Sequence, residues 1–151
     1  MIAFPDHLAE ASGRATNRSS GRAGEILASY YLERCGMPCS IVDRFGTDIW
    51  ARGPGGQYFS VEVKSARTQP AIPDSYVFTA KSKKADQFVL ICSDNSLIRI
   101  LSRDALMRLC PAGSFRRKGS YFTEELMWED ISRLKAAYSY CLLYTSPSPR
   151  D

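Results

Sequence analysis

The sequence lacks the features that mark membrane and secreted proteins. No apolar run approaches the roughly 20 residues that a membrane-spanning helix needs. Pro5, Asp6 and Glu10 interrupt the first ten residues, which therefore do not have the charged-then-apolar layout of a secretory signal. The expected location is cytoplasmic, without membrane association.

Histidine and paired cysteines are also scarce. His7 is the only histidine, and the five cysteines include no Cys-x-x-Cys pair. A zinc site would have to be assembled from poorly spaced ligands. An odd number of cysteines gives no even disulfide framework either. We therefore expect free thiols, buried or half-exposed, and the cysteines are at positions 35, 39, 92, 110 and 141.

Charge is mildly biased toward the basic side. The 151 residues suit one compact domain and carry a formal net charge of +4, which is compatible with a polyanionic partner but does not demand one. The basic residues gather in three clusters, expected in a polar lead-in and two loops: Arg14, Arg18, Arg22; Lys81, Lys83, Lys84; and Arg116, Arg117, Lys118. Solvated loops and phosphate contacts are both open interpretations. The candidate nucleic-acid contacts are Arg22, Lys81, Lys83 and Lys84.

Two terminal segments differ from the rest. Residues 1–21 end in a small, polar, basic stretch, ASGRATNRSSG, and are expected to form a flexible basic N-terminal arm. Residues 141–151 read CLLYTSPSPRD, which resembles the translation of a transposon-type sequencing adapter at every position. We expect this tail to be non-native and exclude it from fold reasoning. The expected single domain covers residues 22–140.

The pattern within that domain predicts helices packed on a sheet. Apolar residues at helical spacing predict a first helix, and they are Ala23, Ile26, Leu27, Tyr30 and Tyr31. Strand patterns occur at 40–42, 48–51, 58–64, 76–79, 87–93 and 97–101. Ser102 and Thr123 are predicted N-caps of two further helices. This order predicts an α/β (α+β) fold with a mixed central β-sheet flanked by α-helices.

Three ionisable residues are placed for chemistry. Asp48 opens a strand, and Glu62 and Lys64 share one face of the next strand because residues two apart project the same way. If the glycine-rich turn at 53–56 joins these strands, Asp48 faces Glu62. Facing carboxylates repel unless a cation lies between them, and oxygen ligands favour Mg²⁺ or Mn²⁺. The carbonyl of Val63 is a candidate third ligand.

A cation held there would support phosphodiester hydrolysis. It would polarise a phosphate oxygen and lower the pKa of a bound water. Lys64 is predicted to orient that water and stabilise charge, and a role as general base is left open. Asp86 is expected to have a structural role at the start of a strand. Trp50 is expected to pack in the core or a cleft and not to stack on a base.

These residues resemble the PD-(D/E)xK nuclease superfamily, which has the restriction-endonuclease-like fold. The pattern reads Arg22-Ala-Gly-Glu25 at the head of a helix, Gly46-Thr-Asp48 at the start of a strand, and Glu62-Val-Lys64 on the next strand. Order and spacing are most similar to the Holliday-junction-resolvase and intron-endonuclease branches. One departure is Thr47, which precedes Asp48 where the family name has a proline.

The resemblance implies a restriction-endonuclease-like core and a Mg²⁺-dependent nuclease, with Mn²⁺ as a substitute, that hydrolyses DNA phosphodiester bonds. It implies metal ligation by Asp48 and Glu62, a catalytic role for Lys64, and a supporting catalytic role for Glu25. A plain alternative for Glu25 is a helix-start acid favoured by the macrodipole.

Family likeness also favours an endonuclease on branched or mobile-element DNA, with a homodimer as a further expectation. The alternatives are an exonuclease or restriction-type endonuclease of the same fold, and a catalytically inactive DNA-binding module.

Overall fold

The computed structural model describes residues 17–44, 46–68, 71, 74–80, 84–94 and 96–139, with the backbone alone for 17–20, 43 and 44. The predicted arm up to residue 16, Lys81, Lys83 and the 141–151 tail lie outside the described residues. Within these ranges, no helix has the length and apolar character needed to cross a membrane.

The described chain contains helices α1 (Asn17–Arg34), α2 (Arg103–Leu109) and α3 (Glu124–Ala137). A short 3-10 turn at Gly119–Tyr121 precedes α3. The strands are β1 (Cys39–Arg44), β2 (Thr47–Arg52), β3 (Tyr58–Ala66), β4 (Ser75–Thr79), β5 (Gln87–Cys92), β6 (Leu97–Ser102) and β7 (Ser114–Lys118).

The central sheet has five strands in the order β1-β2-β3-β5-β6. β3 and β5 are parallel, and every other neighbouring pair in this sheet is antiparallel. β4 and β7 form a separate antiparallel pair. The predicted α/β (α+β) fold with a mixed central sheet and packed helices is confirmed.

Apolar side chains cover both faces of the central sheet. On one face, α1 and α3 contribute Leu32, Ile131 and Leu134 to a cluster that includes Val61. On the other face, β4 and α2 contribute Phe78 and Leu106 to a second cluster. Burial on both sides explains why every residue of β5 is buried and why its sequence, QFVLIC, is almost continuously apolar.

Several local predictions are confirmed. The Ser102 hydroxyl accepts a hydrogen bond from the Ala105 N–H at 3.2 Å, and the Thr123 hydroxyl accepts one from the Leu126 N–H at 3.2 Å, so both residues are N-caps. The cysteines of the described part are free thiols, half-buried at 35 and 39 and buried at 92 and 110.

Three local predictions are wrong. Arg116 to Lys118 belong to strand β7 and not to a loop. β7 pairs with β4, which is distant in sequence, so the local sequence does not indicate a strand. α1 begins at Asn17, inside the stretch expected to lie outside any helix. Core packing of Trp50 is also wrong, because Trp50 is 43% exposed and alternates with the buried Ile49 and Ala51 on β2.

Candidate active site

A hairpin brings the two predicted acids together. β2 and β3 pair with Ile49 opposite Val61 and Trp50 opposite Ser60, and the next step of this register places Asp48 opposite Glu62. Cross-strand partners project from the same face of a sheet. The Asp48 carboxylate also accepts a hydrogen bond from the Val63 N–H at 2.7 Å, which fixes it against β3.

The turn of this hairpin is held from outside by Tyr138, the residue that follows α3. The Gly55 N–H donates to the Tyr138 carbonyl at 2.8 Å, and the Tyr138 ring stacks on Phe59 with ring centroids 4.1 Å apart. A Cβ at Gly53 would overlap the Cβ of Tyr138, so only glycine allows this approach. Helix α3 therefore fixes the length and position of the turn.

Glu62 is a buried carboxylate with an incomplete set of partners. It is 8% exposed, and its Oε1 lies 3.3 Å from the Lys64 Nζ. Its other oxygen, Oε2, is buried without a hydrogen-bond partner. Burial raises the pKa of Glu62, the charge of Lys64 opposes that rise, and the nearby charge of Asp48 adds to it. The site therefore destabilises an uncompensated negative charge.

This arrangement fits a divalent cation. Carboxylate oxygens are ligands that Mg²⁺ and Mn²⁺ accept, and an unpartnered buried oxygen is free to take one up. In the described ranges, no cluster of three or more His, Cys, Asp or Glu side chains is placed to hold a metal. A cation here would need backbone or water oxygens beside Asp48 and Glu62, and the Val63 carbonyl remains the predicted third ligand.

Of the remaining predicted residues, Lys64 lies beside Glu62 on β3, whereas Glu25, Arg22 and Lys84 lie on other segments. The Lys64 side chain is 31% exposed, so its amine contacts Glu62 and remains accessible to a substrate. Glu25 is half-buried on α1, where the Ser29 hydroxyl donates to its carbonyl oxygen at 2.8 Å. Arg22 and Lys84 are exposed. The structure thus brings together Asp48, Glu62 and Lys64, and the roles of all these residues stay predictions.

Sequence reasoning missed the residue that lets α1 approach β3. A Cβ at Gly24 would overlap the Ser65 hydroxyl and would lie 3.3 Å from Ile91 Cδ1. Glycine within a helix costs about 1 kcal/mol relative to alanine. The glycine at position 24 of a predicted helix therefore indicated that another element packs closely there. This contact positions the start of α1, and with it Glu25, against the face of β3 opposite to the Glu62 and Lys64 side chains.

We expect Gly24→Ala to destabilise the protein by about 1–3 kcal/mol, since overpacking outweighs the gain in helix propensity. Ser65→Ala should be close to neutral because the Ser65 hydroxyl is buried without a partner. The double variant should recover most of the loss, because removing that hydroxyl makes room for the new methyl group. Urea unfolding of the four proteins measures this coupling, and additive effects would contradict the proposed contact.

Asp86 joins the start of β3 to the segment leading into β5. Its carboxylate accepts hydrogen bonds from the Ser60 N–H at 2.9 Å and the Ser60 hydroxyl at 3.2 Å, and it pairs with Arg103 at 2.9 Å. These contacts agree with the structural role predicted for it. They fix the parallel pairing on which the position of Glu62 depends.

Comparison with solved structures finds proteins of similar fold. The chain is similar to a bacterial homing endonuclease, I-Ssp6803I, with a TM-score of 0.64 and 17% sequence identity over 82% of this chain and 96% of that chain. No protein-family model and no curated protein matches the sequence. At this identity the likeness shows the fold, and the fold is a nuclease-like α/β arrangement.

Proposed function

We propose that this chain is a metal-dependent nuclease of the PD-(D/E)xK superfamily that hydrolyses DNA phosphodiester bonds. The observation that carries the proposal is the convergence of Asp48, Glu62 and Lys64 on one face of the sheet. The likeness in fold to a homing endonuclease supports it.

Asp48 and Glu62 would hold a Mg²⁺ or Mn²⁺ ion, which offsets their repulsion and gives the buried Glu62 Oε2 a partner. When bound, the ion supplies charge stabilisation at the phosphate and lowers the pKa of a coordinated water. The Val63 N–H keeps the Asp48 carboxylate in place. The Lys64 amine orients the attacking water and stabilises charge on the phosphate. A supporting role for Glu25 rests on the family resemblance alone, because α1 packs on the opposite face of the sheet.

The proposed substrate is branched or mobile-element DNA cut internally. The neighbour in fold is described as a homing endonuclease, which supports internal cleavage over removal of terminal nucleotides. Arg22 and Lys84 are exposed and basic, as phosphate contacts require. Two such sites would suit cutting of two strands, so the proposal includes a homodimer. Its proposed location is the cytoplasm.

The test is cleavage of linear, nicked and four-way DNA in Mg²⁺, in Mn²⁺ and in EDTA. Wild type should cut in either metal and not in EDTA. Lys64→Ala should lower the cleavage rate by on the order of a hundredfold or more, because it removes a group that stabilises the transition state. Lys135→Ala removes the same charge from an exposed position on α3 and should cleave like wild type.

Each alternative has its own signature in this assay. Metal-independent binding without any cleavage would show an inactive DNA-binding module. Mononucleotides released from DNA ends would show an exonuclease, and cutting of linear DNA at one sequence would show a restriction-type endonuclease. Wild-type rates in Lys64→Ala would disprove the assigned site.

A further inference from the structure

The β4–β7 pair, here called the ribbon, has a basic outer face. Exposure alternates along β7, with Ser114, Arg116 and Lys118 exposed and with Phe115 and Arg117 half-buried. Because side chains on a strand alternate between its two sides, Arg116 and Lys118 project together toward solvent. The ribbon therefore presents two neighbouring positive charges.

Aromatic and cationic contacts anchor the inner face of the ribbon. Phe115 stacks on Phe78 with ring centroids 5.6 Å apart. The Arg117 guanidinium lies 4.7 Å from the centroid of the Tyr121 ring, and the Arg99 guanidinium lies 4.0 Å from the same centroid. Arg99 is itself held by two hydrogen bonds to Asp130. This packing fixes which side of β7 is available to a partner.

The ribbon covers the same face of the central sheet that carries the candidate active site. Phe78 of the ribbon packs in one cluster with Phe88 and Leu90 of β5. Phe88 and Leu90 are the register partners of Glu62 and Lys64, so all four side chains project from one face. A ligand placed at the acids on this face would thus have the ribbon beside it.

We propose that the outer face of the ribbon binds the backbone of a DNA duplex, with Arg116 and Lys118 contacting its phosphates. This inference rests on the proposed function and adds to it a binding surface outside the cleaving residues. Positive charge complements phosphate, and the two exposed basic side chains lie two residues apart on one side of an extended strand. Because the ribbon is already held by its inner-face contacts, binding does not require the loss of conformational entropy that ordering a mobile segment would cost.

The experiment measures binding apart from cleavage. A fluorescein-labelled duplex of mixed sequence is titrated with protein in EDTA at several NaCl concentrations, and fluorescence anisotropy gives the association constant. The variant is Arg116→Gln with Lys118→Gln. The control is Arg34→Gln with Lys135→Gln, which removes the same charge from exposed positions on α1 and α3, the helices that cover the opposite sheet face.

We expect the slope of log affinity against log salt to fall by about 1.8 in the ribbon variant, since each lost phosphate contact removes about 0.9. Its affinity near 0.1 M salt should fall at least about tenfold on the same relation. The control should keep the wild-type slope. The single variants Arg116→Gln and Lys118→Gln should each show about half of that reduction in slope. If circular dichroism shows that the double variant is unfolded, the single variants provide the test.

The experiment gives different results if the proposed DNA binding by the ribbon is wrong and if the proposed nuclease function is wrong. If the ribbon variant keeps the wild-type slope and the protein still cuts DNA, the ribbon does not bind the duplex and the proposed nuclease function is unaffected. A lowered slope in a protein that never cuts DNA in Mg²⁺ supports the ribbon and overturns the nuclease. A wild-type protein that does not bind duplex DNA overturns the ribbon directly.

Discussion

Glu62→Gln will lower DNA cleavage by on the order of a thousandfold while leaving the fold at least as stable as that of wild type. Glutamine keeps the volume of glutamate and removes the buried negative charge that the site needs to hold a cation. Wild-type Glu62 is 8% exposed with one unpartnered oxygen, so its ionisation opposes folding in the absence of metal. Activity and stability should therefore change in opposite directions.

The direction in which stability changes with pH follows from the raised pKa of Glu62. Between the ordinary value of 4.5 and the higher value in the folded state, the folded protein binds more protons than the unfolded chain. The stability of the metal-free protein should therefore fall as pH rises through this window, and Glu62→Gln should remove that fall. Urea unfolding in EDTA from pH 4 to pH 8 measures it.

The control for this prediction is Glu125→Gln, an exposed acid in the first turn of α3, which should retain both cleavage and the wild-type pH dependence. Wild-type cleavage by Glu62→Gln would remove Glu62 from the site. Loss of stability in Glu62→Gln at neutral pH would show that the carboxylate is satisfied in the folded protein.

Asp130→Ala will lower the free energy of unfolding by about 3–5 kcal/mol. Asp130 is 7% exposed and Arg99 is 8% exposed, so the pair is desolvated. The Asp130 carboxylate accepts from Arg99 Nε at 2.6 Å, from Arg99 Nη2 at 3.1 Å and from the Ile100 N–H at 2.8 Å. Removing it leaves a buried guanidinium without its counter-charge and a backbone N–H without its acceptor.

A double variant separates charge from packing. Asp130→Leu with Arg99→Met replaces the pair by apolar groups and should recover part of the loss, because no charge remains buried. Recovery stays incomplete since the Ile100 N–H still lacks its acceptor. Glu129→Ala, an exposed neighbour, should change stability by less than about 0.5 kcal/mol. A cost for Asp130→Ala as small as this control would contradict the prediction.

The core of the candidate site could be predicted because its contacts are local. The alternation of β3 places Glu62 and Lys64 on one side, and a glycine-rich turn connects β3 directly to the strand that carries Asp48. Period and turn chemistry are properties of short segments, so they can be seen without knowing the rest of the fold.

What could not be predicted depends on segments far apart in the chain. β7 becomes a strand only because β4 pairs with it, and its basic sequence alone favours a loop. The ion pair of Arg99 with Asp130 joins β6 to α3 in the same way. The burial of Glu62 and the missing partner of its Oε2 likewise follow from packing and not from any motif.

The contacts of the glycine-rich turn with Tyr138 fix the pairing register of β2 and β3. One inserted residue that slipped the pairing by a single step would exchange the two sides of the strand and carry an acid to the layer where α1 and α3 pack. The fixed contacts of Gly53 and Gly55 with Tyr138 leave no slack to absorb such an insertion. Affinity tags or reporter domains grafted into this protein therefore belong in its other connections, and natural variation in loop length is expected there too.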